Sequence, residues 1–278
     1  KWDPEIAMQL IASERINNAG GVPTIAWQLL EHPALGRYDL SSLESISYGG
    51  APAAAELVTR LREKFPGVAP GTGWGMTEVS GGFTGHQGDD YETHPASCGP
   101  PFPIGEMKIV DENGNTMPPG GVGELMVKGP SVVRGYWQNP QATADSFADG
   151  WLRTGDIARL DAEGFCYILD RAKDMLIRGG ENIYCVEVEN ALHEHPAVID
   201  AGVVGVPHPT LGEEPAAVVV LRDGASVTEA DLRIFLAERL AAFKVPVKIT
   251  FTPTPLPRNP TGKLMKGELK RLFVEQKV

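Results

Sequence analysis

D-R-A-K-D-M-L-I-R-G-G-E-N, residues 170–182, separates two parts of this chain that differ in character. The stretch mixes charged side chains with a Gly-Gly pair, a pattern that is more often a solvated linker than a site. Dense proline, glycine and short strand patterns precede it, and alternating helix and strand patterns follow it. We therefore predict one domain over residues 1–172 and a second domain over residues 173–278.

The first 95 residues carry alternating helix and strand patterns, which favour α/β layering. Helices are predicted over residues 3–16, 24–31 and 53–65. A strand is predicted over residues 43–48, where L-E-S-I-S-Y runs into Gly49-Gly50.

Proline and glycine are dense in residues 96–172, and the segments between them are short and strand-like. Strands are predicted over residues 106–110, 122–128, 156–161 and 164–170. D-E-N-G-N, residues 111–115, is typical of a hairpin turn. This part therefore reads as a small, mostly antiparallel sheet or barrel.

The second domain alternates again between helices and strands. Helices are predicted over residues 185–194 and 228–241, and strands near residues 198–206, 215–222 and 247–252. These elements describe a compact α+β unit. The predicted fold class is thus α/β with a small antiparallel β part, followed by a small α+β domain.

Composition excludes several classes of protein. The net charge of −11 over 278 residues gives nucleic acid no overall attraction. No apolar run approaches the roughly 20 residues that a transmembrane helix needs. Three cysteines, Cys98, Cys166 and Cys185, form no C-x-x-C pair, which favours reduced thiols and a cytoplasmic protein. Because the chain opens on Lys1 in the manner of mid-protein sequence, we expect it to be part of a longer protein.

T-G-W-G-M-T-E, residues 72–78, is suited to nucleotide binding. Its glycines allow a ligand to approach the backbone, and Trp74 offers a flat face for a base. Thr77 offers a hydroxyl group to phosphate, and Glu78 offers a hard oxygen ligand to Mg²⁺. A plain strand-to-helix turn with Trp74 in the core explains the same residues equally well.

Two further stretches place a charged side chain directly after a glycine. In D-G-W-L-R-T-G-D, residues 149–156, Asp156 is placed either to accept hydrogen bonds from ribose hydroxyls or merely to fix the turn. In R-N-P-T-G-K-L-M-K, residues 258–266, Lys263 stands at a predicted helix entry, where a solvent-exposed lysine is the simpler interpretation. The latter lacks the glycine spacing of a G-x-x-x-x-G-K-[ST] phosphate loop.

The order of the motifs is more specific than any one of them. The chain contains, in this order, S-Y-G-G-A-P, G-W-G-M-T-E, G-E-L-M-V-K-G-P, G-Y-W-Q-N-P-Q-A-T, D-G-W-L-R-T-G-D, the 170–182 stretch with its continuation I-Y-C-V-E-V-E, and P-R-N-P-T-G-K. This series resembles the adenylate-forming superfamily, which comprises acyl-CoA synthetases, adenylation domains of peptide synthetases and luciferases. The likeness is greatest to fatty-acyl and aryl-acyl CoA ligases, and it covers the second half of such an enzyme.

The resemblance implies a nucleotide site made of several motifs. Its residues would be Gly49, Gly50, Ala51, Pro52, Gly73, Trp74, Gly75, Met76, Thr77, Asp156 and Arg171. Trp74 would stack on adenine, where the family usually has Tyr. Thr77 would contact the α-phosphate, Glu78 would bind Mg²⁺, and Asp156 with Arg171 would hold the ribose.

The resemblance also implies a mobile C-terminal domain that turns about Lys173. Lys263 would be the catalytic lysine of adenylation, in which a carboxylate attacks the α-phosphate of ATP and expels pyrophosphate. A fixed cation stabilises the charge on the transferring group. Gly179 and Gly180 would lie near the pantetheine of CoA in the second half-reaction. Cys185 stands where many relatives carry Pro, and we assign it no chemistry.

The function implied is that of an acyl-CoA synthetase, with ATP, Mg²⁺ and CoA as cofactors and a fatty or aryl acid as substrate. V-S-G-G-F-T-G-H, residues 79–86, would line one wall of the acyl pocket, where its small residues leave room for an acyl chain or a ring. We expect a medium or longer fatty acid rather than an aryl acid. The family's Ser/Thr/Gly-rich phosphate loop is missing, so we expect the chain alone to be impaired in ATP use. The alternatives are an adenylation enzyme that loads a carrier protein and a non-catalytic nucleotide-binding module. The oligomeric state stays open, with a homodimer as one option.

Overall fold

The computed structural model describes residues 2–50, 55–259 and 262–274. By their internal contacts the residues form two compact units, Lys1–Ile168 and Leu169–Val278, which we call the first and second units. The domain boundary predicted after residue 172 stays a prediction, and so does the hinge predicted there.

The first unit is built from short helices and strands. In chain order these are α1 (Pro4–Glu14), β1 (Asn18–Gly21), α2 (Pro23–Leu30), β2 (Ser45–Gly49), α3 (Ala55–Lys64), β3 (Ala69–Gly73), β4 (Gly75–Met76), β5 (Gly81–Gly82), β6 (His86–Gln87), α4 (Asp89–Thr93), β7 (Glu106–Val110), β8 (Val122–Lys128), α5 (Pro140–Ser146), β9 (Phe147–Ala148), β10 (Trp151–Leu160) and β11 (Cys166–Arg171), which continues into the second unit. Short 3-10 turns lie at Leu35–Arg37 and Thr77–Val79.

Local signals at the start of α1 agree with the predicted helix. The Asp3 carboxylate accepts hydrogen bonds from the N–H groups of Glu5 and Ile6, which no helical carbonyl satisfies. Proline fits the first turn because it has no N–H to lose. The helix ends at Arg15, whose backbone is left-handed with φ of 51°.

The N-terminal sheet has the strand order β1-β2-β3-β6. Strands β1, β2 and β3 run parallel to one another, with Tyr48 opposite Thr72 and Gly49 opposite Gly73. Helices α1, α2 and α3 contribute Ile11, Leu30, Leu57 and Leu61 to the apolar core beside this sheet. The predicted α/β layering is therefore confirmed.

The middle of the chain forms the antiparallel sheet that its sequence predicts. The strand order is β11-β10-β8-β7, and β9 pairs with β10. Strands β7 and β8 have the predicted bounds, and the Asp111 carboxylate accepts the N–H groups of Asn113 and Asn115 in the turn after β7. Closure of this sheet into a barrel stays a prediction.

The second unit is a sheet that is covered by helices on both faces. Its elements are β12 (Leu176–Arg178), β13 (Glu181–Ile183), α6 (Cys185–His193), β14 (Val198–His208), β15 (Gly212–Leu221), α7 (Glu229–Ala237), a 3-10 turn at Ala242–Lys244, β16 (Lys248–Phe251) and α8 (Lys266–Val274). The strand order is β13-β12-β15-β14, with β16 parallel to β15.

Alternate residues of β14 and β15 belong to different cores. Val203 and Val219 pack in the core that includes residues of α6 and α7. Val204 and Val218 pack in the core that includes Leu269 of α8. Successive side chains of a strand point to opposite faces, so burial on both faces explains the continuous apolar run in β15. The predicted α+β unit is confirmed.

Among the described residues, no helix is long and apolar enough to cross a membrane.

Candidate nucleotide-binding site

Two of the predicted nucleotide-binding motifs end at the same edge of the N-terminal sheet. Strands β2 and β3 are parallel neighbours, and their last residues, Gly49 and Gly73, are paired. In open α/β sheets, ligands bind beyond the carboxyl ends of such strands. Gly50 follows β2 with φ of 75°, which glycine adopts without strain. Ala51 and Pro52, which the sequence also assigns to this site, lie outside the described residues.

The structure joins Trp74 to Asp156, which are far apart in sequence. The indole Nε1–H of Trp74 donates a hydrogen bond of 2.8 Å to Oδ2 of Asp156. The Trp74 ring is half-buried and meets the Phe83 ring edge-on, with 6.3 Å between their centroids. The predicted base-stacking and ribose-binding residues therefore lie side by side.

A bulge in β10 determines where Asp156 lies. The register between β10 and β8 shifts between Arg153 and Ile157, and Gly155 has φ of 72°. The Thr154 hydroxyl donates to the Leu125 carbonyl at 2.8 Å and accepts the Asp156 N–H at 3.1 Å. Bulges commonly redirect a side chain near a functional site. Asp156 is only 4% exposed, so its carboxylate requires donors around it.

Glu78 is held by the loop that follows β8. The Tyr136 hydroxyl donates to Oε1 of Glu78 at 2.9 Å, and the Val133 N–H donates to the Glu78 carbonyl at 2.8 Å. The Ser80 hydroxyl donates to the carbonyl of Ser131 in the same loop at 2.8 Å. Burial, followed by the bond to Glu78, raises the pKa of Tyr136. Sequence reasoning missed Tyr136, although its motif, G-Y-W-Q-N-P-Q-A-T, was part of the resemblance.

The surroundings of Glu78 bear on the predicted Mg²⁺. The described residues contain no group of three or more His, Cys, Asp or Glu side chains that is placed to hold a metal ion. Mg²⁺ usually keeps several waters and is bound through one or two carboxylates together with substrate phosphates. Glu78 fits that arrangement as a single protein ligand. The described donors do not fit a metal site made of protein ligands alone.

The glycines of the T-G-W-G-M-T-E motif have a structural reason of their own. A Cβ atom on Gly75 would lie 1.9 Å from the Gly81 carbonyl oxygen. A Cβ atom on Gly73 would lie 2.5 Å from the Thr84 carbonyl oxygen. The close approach that these glycines permit is therefore made by the protein's own backbone, whether or not a ligand also approaches there. Thr77, predicted to contact phosphate, lies exposed in the following 3-10 turn.

In the second unit, Lys263 lies at the end of a well-braced turn. Its N–H donates to Oδ1 of Asn259 at 2.9 Å, and the Asn259 N–H donates to the Lys263 carbonyl at 2.9 Å. Arg258 donates to the Gly262 carbonyl at 3.0 Å. The Lys263 side chain is exposed, and α8 begins three residues later at Lys266.

A cluster of partly buried charges stands at the start of α8. Lys266 Nζ lies 3.2 Å from Oε1 of Glu189, which also accepts the Val203 N–H at 2.9 Å. Burial opposes the charge on Lys266, but the negative groups that face it, Glu189 foremost, outweigh burial and raise the pKa of Lys266. Burial raises the pKa of the Glu189 carboxyl and of the Asp170 carboxyl. No sequence motif indicated this cluster.

The segment predicted to contain the hinge begins beside that cluster. Arg171 closes β11, and its carbonyl accepts the N–H groups of Asp174 and Met175 at 2.9 and 3.0 Å. Lys173 is exposed in the turn between them. Gly179 and Gly180 form the turn between β12 and β13, with φ of 59° and 90°.

Cys185 has a structural role that its side chain alone does not suggest. Its N–H donates to Oδ2 of Asp170 at 2.6 Å, and its thiol donates to the Asp174 carbonyl at 3.2 Å. Proline has no N–H. A proline at residue 185, which the resemblance leads us to expect, could not donate this bond to Asp170.

Comparisons with known proteins place the chain in a family. A family model described as "AMP-binding enzyme" matches residues 1–137, and "AMP-binding enzyme C-terminal domain" matches residues 187–263. A feruloyl-CoA synthase of Amycolatopsis sp is 40% identical over 272 residues, covering 98% of this chain and 55% of that protein. A 2-succinylbenzoate–CoA ligase of Geobacillus kaustophilus is also 40% identical over 272 residues, covering 98% of this chain and 54% of that protein.

Solved structures agree with these relatives. An amide bond synthetase from Marinactinospora thermotolerans superposes with a TM-score of 0.91 at 37% identity, covering 98% of this chain and 55% of that protein. The o-succinylbenzoate CoA synthetase of Bacillus subtilis, solved with its acyl-adenylate intermediate, gives a TM-score of 0.84 at 36% identity, covering 97% of this chain and 54% of that protein. The chain spans about half the length of these relatives. It belongs to the adenylate-forming, AMP-binding enzymes, as its motifs predicted.

Proposed function

We propose that this chain belongs to an AMP-forming acyl-CoA synthetase. In the first half-reaction a carboxylate attacks the α-phosphate of ATP, and the bond to pyrophosphate breaks. In the second, the CoA thiolate attacks the acyl carbon of the acyl-adenylate, a thioester forms and AMP leaves. The observation that carries the proposal is the bond between Trp74 and Asp156 beside the carboxyl ends of β2 and β3.

The proposed nucleotide site uses the residues of the first unit by their chemistry. The Trp74 face stacks on adenine, with Gly49, Gly50 and Gly73 to Met76 as the surrounding backbone. Asp156 accepts hydrogen bonds from the ribose hydroxyls, and Arg171 of the second unit is its proposed companion. Thr77 donates its hydroxyl to the α-phosphate.

Glu78 is the proposed protein ligand of Mg²⁺. The ion, when bound with the nucleotide, would neutralise phosphate charge. The hydrogen bond from Tyr136 occupies one acceptor site on Oε1 of Glu78 and orients the carboxylate. An ionised carboxylate has about four lone-pair sites, so acceptor capacity remains for a cation.

Lys263 is the proposed catalytic residue of adenylation. Both reactants are anionic, and a positioned cation lowers the cost of bringing them together and of charge on the transferring group. Its exposed side chain on a braced turn suits a group that enters the site for one half-reaction only. Lys173 is the proposed hinge, and Gly179 and Gly180 are proposed to lie on the path of CoA. Movement of such domains often separates catalytic steps.

The CoA ligase relatives support CoA as the acceptor and an aryl or fatty acid as the substrate. The amide bond synthetase shares this fold, so an acceptor other than CoA must be tested directly. Loading of a carrier protein and non-catalytic nucleotide binding are the remaining alternatives.

The test supplies the purified chain with synthetic adenylates of ferulate, 2-succinylbenzoate and a long-chain fatty acid, with and without CoA. Release of AMP and thioester is followed by chromatography. We expect CoA-dependent formation of AMP and thioester in equal amounts, with one acid preferred. Binding of the adenylates without thioester formation for any acid would contradict CoA as the acceptor.

Pyrophosphate exchange with ATP tests the other half-reaction. We expect weak exchange in the chain alone, since it lacks the family's phosphate loop. Lys263→Met should lower any exchange further while it spares thioester formation from the adenylates. Equal losses of both half-reactions would contradict the assignment of Lys263 to adenylation.

A further inference from the structure

The backbone of Trp74 is fixed by three hydrogen bonds to Phe83 and Thr84. Its backbone N–H donates to the Thr84 hydroxyl at 3.0 Å, and its carbonyl accepts the N–H groups of Phe83 and Thr84 at 2.9 and 3.1 Å. Thr84 is itself only 1% exposed, and its hydroxyl donates to the Cys98 carbonyl at 2.7 Å. These hydrogen bonds fix the backbone from which the indole N–H is directed.

Asp156 receives that N–H in a sheltered position. Its backbone follows the bulge in β10, and its side chain is 4% exposed. A hydrogen bond from a neutral donor to an ionised carboxylate is stronger than a bond between neutral groups. The bond to Trp74 therefore restricts rotation of the carboxylate, and the acceptor capacity of a carboxylate exceeds one donor.

The type of aromatic residue decides whether this bond exists. Tyr, which is usual at this position by resemblance, carries its donor at the far end of the ring, and Phe carries none. Both offer a ring face to a base, but neither places a donor where indole Nε1 lies. Trp at residue 74 thus combines a stacking face with a donor to Asp156.

We propose that Trp74 is a positioning residue for ribose recognition: its indole N–H orients the Asp156 carboxylate, so that recognition of the base and of the sugar is coupled through one hydrogen bond. This inference rests on the proposed nucleotide site. It adds that ribose selectivity depends on the indole N–H, in addition to the Asp156 carboxylate.

The experiment compares three nucleotides on five forms of the chain. AMP, 2′-deoxy-AMP and 3′-deoxy-AMP are titrated by calorimetry into the unaltered chain, into the Trp74→Phe, Trp74→Tyr and Asp156→Asn variants, and into the double variant of Trp74→Phe with Asp156→Asn. Loss of stacking weakens the binding of all three nucleotides by the same factor. The ratio of the Kd of a deoxynucleotide to the Kd of AMP therefore reports the contribution of the sugar hydroxyl alone. Circular dichroism tests whether each variant is folded. If Trp74→Phe does not fold, Trp74→Tyr replaces it in the comparison.

We expect the unaltered chain to bind at least one deoxynucleotide about tenfold more weakly than AMP, the effect of one hydrogen bond to a charged group. In Trp74→Phe and Trp74→Tyr that ratio should fall to about threefold or less, and Asp156→Asn should lower it similarly. In the double variant of Trp74 and Asp156 the ratio should fall no further, because the two residues act through one interaction.

Three results would overturn the inference, and they differ in what else they affect. A ratio of Kd that stays tenfold in the Trp74 variants but falls in Asp156→Asn would leave the nucleotide site standing and remove Trp74 from sugar recognition. AMP binding with no discrimination by the unaltered chain would remove the ribose role of Asp156 as well. Failure of all three nucleotides to bind the folded, unaltered chain would contradict the nucleotide site itself.

Discussion

Arg258 ties the turn that carries Lys263 to the carboxylate of Asp200 on β14. One guanidinium nitrogen, Nη2, lies 2.9 Å from each Asp200 oxygen, and Nη1 donates to the Gly262 carbonyl at 3.0 Å. Both charged side chains are less than one quarter exposed. The planar fork of arginine makes these bonds together, which a lysine ammonium on a flexible stem does not reproduce.

Arg258→Lys should therefore loosen this turn. We expect a loss of about 1.5–3 kcal/mol in the free energy of unfolding, the range for hydrogen bonds to charged groups. The Lys263 amide should also exchange its hydrogen faster, since its bond to Asn259 depends on the turn. Urea denaturation and native-state hydrogen exchange measure the two effects.

Arg233→Lys is the matched control. Arg233 and Glu229 form an exposed pair at 3.9 Å on α7, which is expected to contribute less than about 1 kcal/mol. A loss of stability as large as that of Arg258→Lys would show that the change from Arg to Lys, rather than the fork, is responsible.

Lys266→Met should destabilise the second unit by about 3 kcal/mol, because it leaves the Glu189 carboxylate sheltered without its cation. Additional Glu189→Leu should recover part of the loss, since an apolar pair of similar size removes the unpaired charge. Lys270→Met serves as the control, because the Lys270–Glu213 pair is more exposed. Urea denaturation compares the variants, and equal effects at residues 266 and 270 would contradict this account.

Gly75→Ala should disrupt the β4–β5 hairpin. The added Cβ would lie 1.9 Å from the Gly81 carbonyl oxygen, so the backbone must move. We expect a loss of at least about 2 kcal/mol, at the level of overpacked cores, and a lower Tm by calorimetry. Gly36→Ala is the control, because nothing lies within 4 Å of its Cβ position. Unchanged stability in Gly75→Ala would show that the close approach is absent in solution.

His86 should make the first unit less stable in mild acid. Its Nε2 is bonded to the Ser97 carbonyl at 2.9 Å, and its ring contacts Tyr91 and Phe165 at 4.8 and 5.6 Å between centroids. Burial lowers the pKa of His86 below its ordinary value of 6.5. The unfolded chain then binds more protons than the folded chain, so the stability from His86 is present above pH 6.5 and is lost as pH falls through the folded-state pKa.

The measurement compares urea denaturation at pH 7.5 and pH 5.5 for the unaltered chain and for His86→Phe. The fall in stability with pH should be smaller in the variant, even if the lost bond to Ser97 lowers its stability at both values. The comparison between the two proteins removes the contributions of His193 and His195, whose pKa values are also lowered by burial. An identical fall in both proteins would contradict the role of His86.

Local signals explain which elements were predicted well. Strands β7 and β8 have the predicted bounds because alternating apolar residues and the Asp111 turn act within a few residues of each other. Strands β1 and β3 were missed because N-A-G-G and A-P-G-T-G contain few residues that favour strands. They form strands because β2 lies between them and its backbone N–H and C=O groups pair with both.

The candidate site, too, was predicted in its motifs but not in its long-range contacts. The order of its motifs was enough to predict the family and to nominate residues 72–78, Asp156 and Lys263. The partners of those residues were not predicted, among them Tyr136 for Glu78 and Arg258 for the Lys263 turn. A motif records residue types at a fixed spacing, whereas these contacts join side chains from separate parts of the sequence.

The sequence by itself therefore determined the family and the α/β and α+β character of the two parts, and it nominated residues for nucleotide chemistry. Only the tertiary structure decided that the Trp74 indole meets the Asp156 carboxylate and that Lys266 faces Glu189. The reason is physical. Helix caps and hairpin turns are stabilised by neighbours in the chain, but a buried charge or a long-range hydrogen bond depends on which strands and helices pack together.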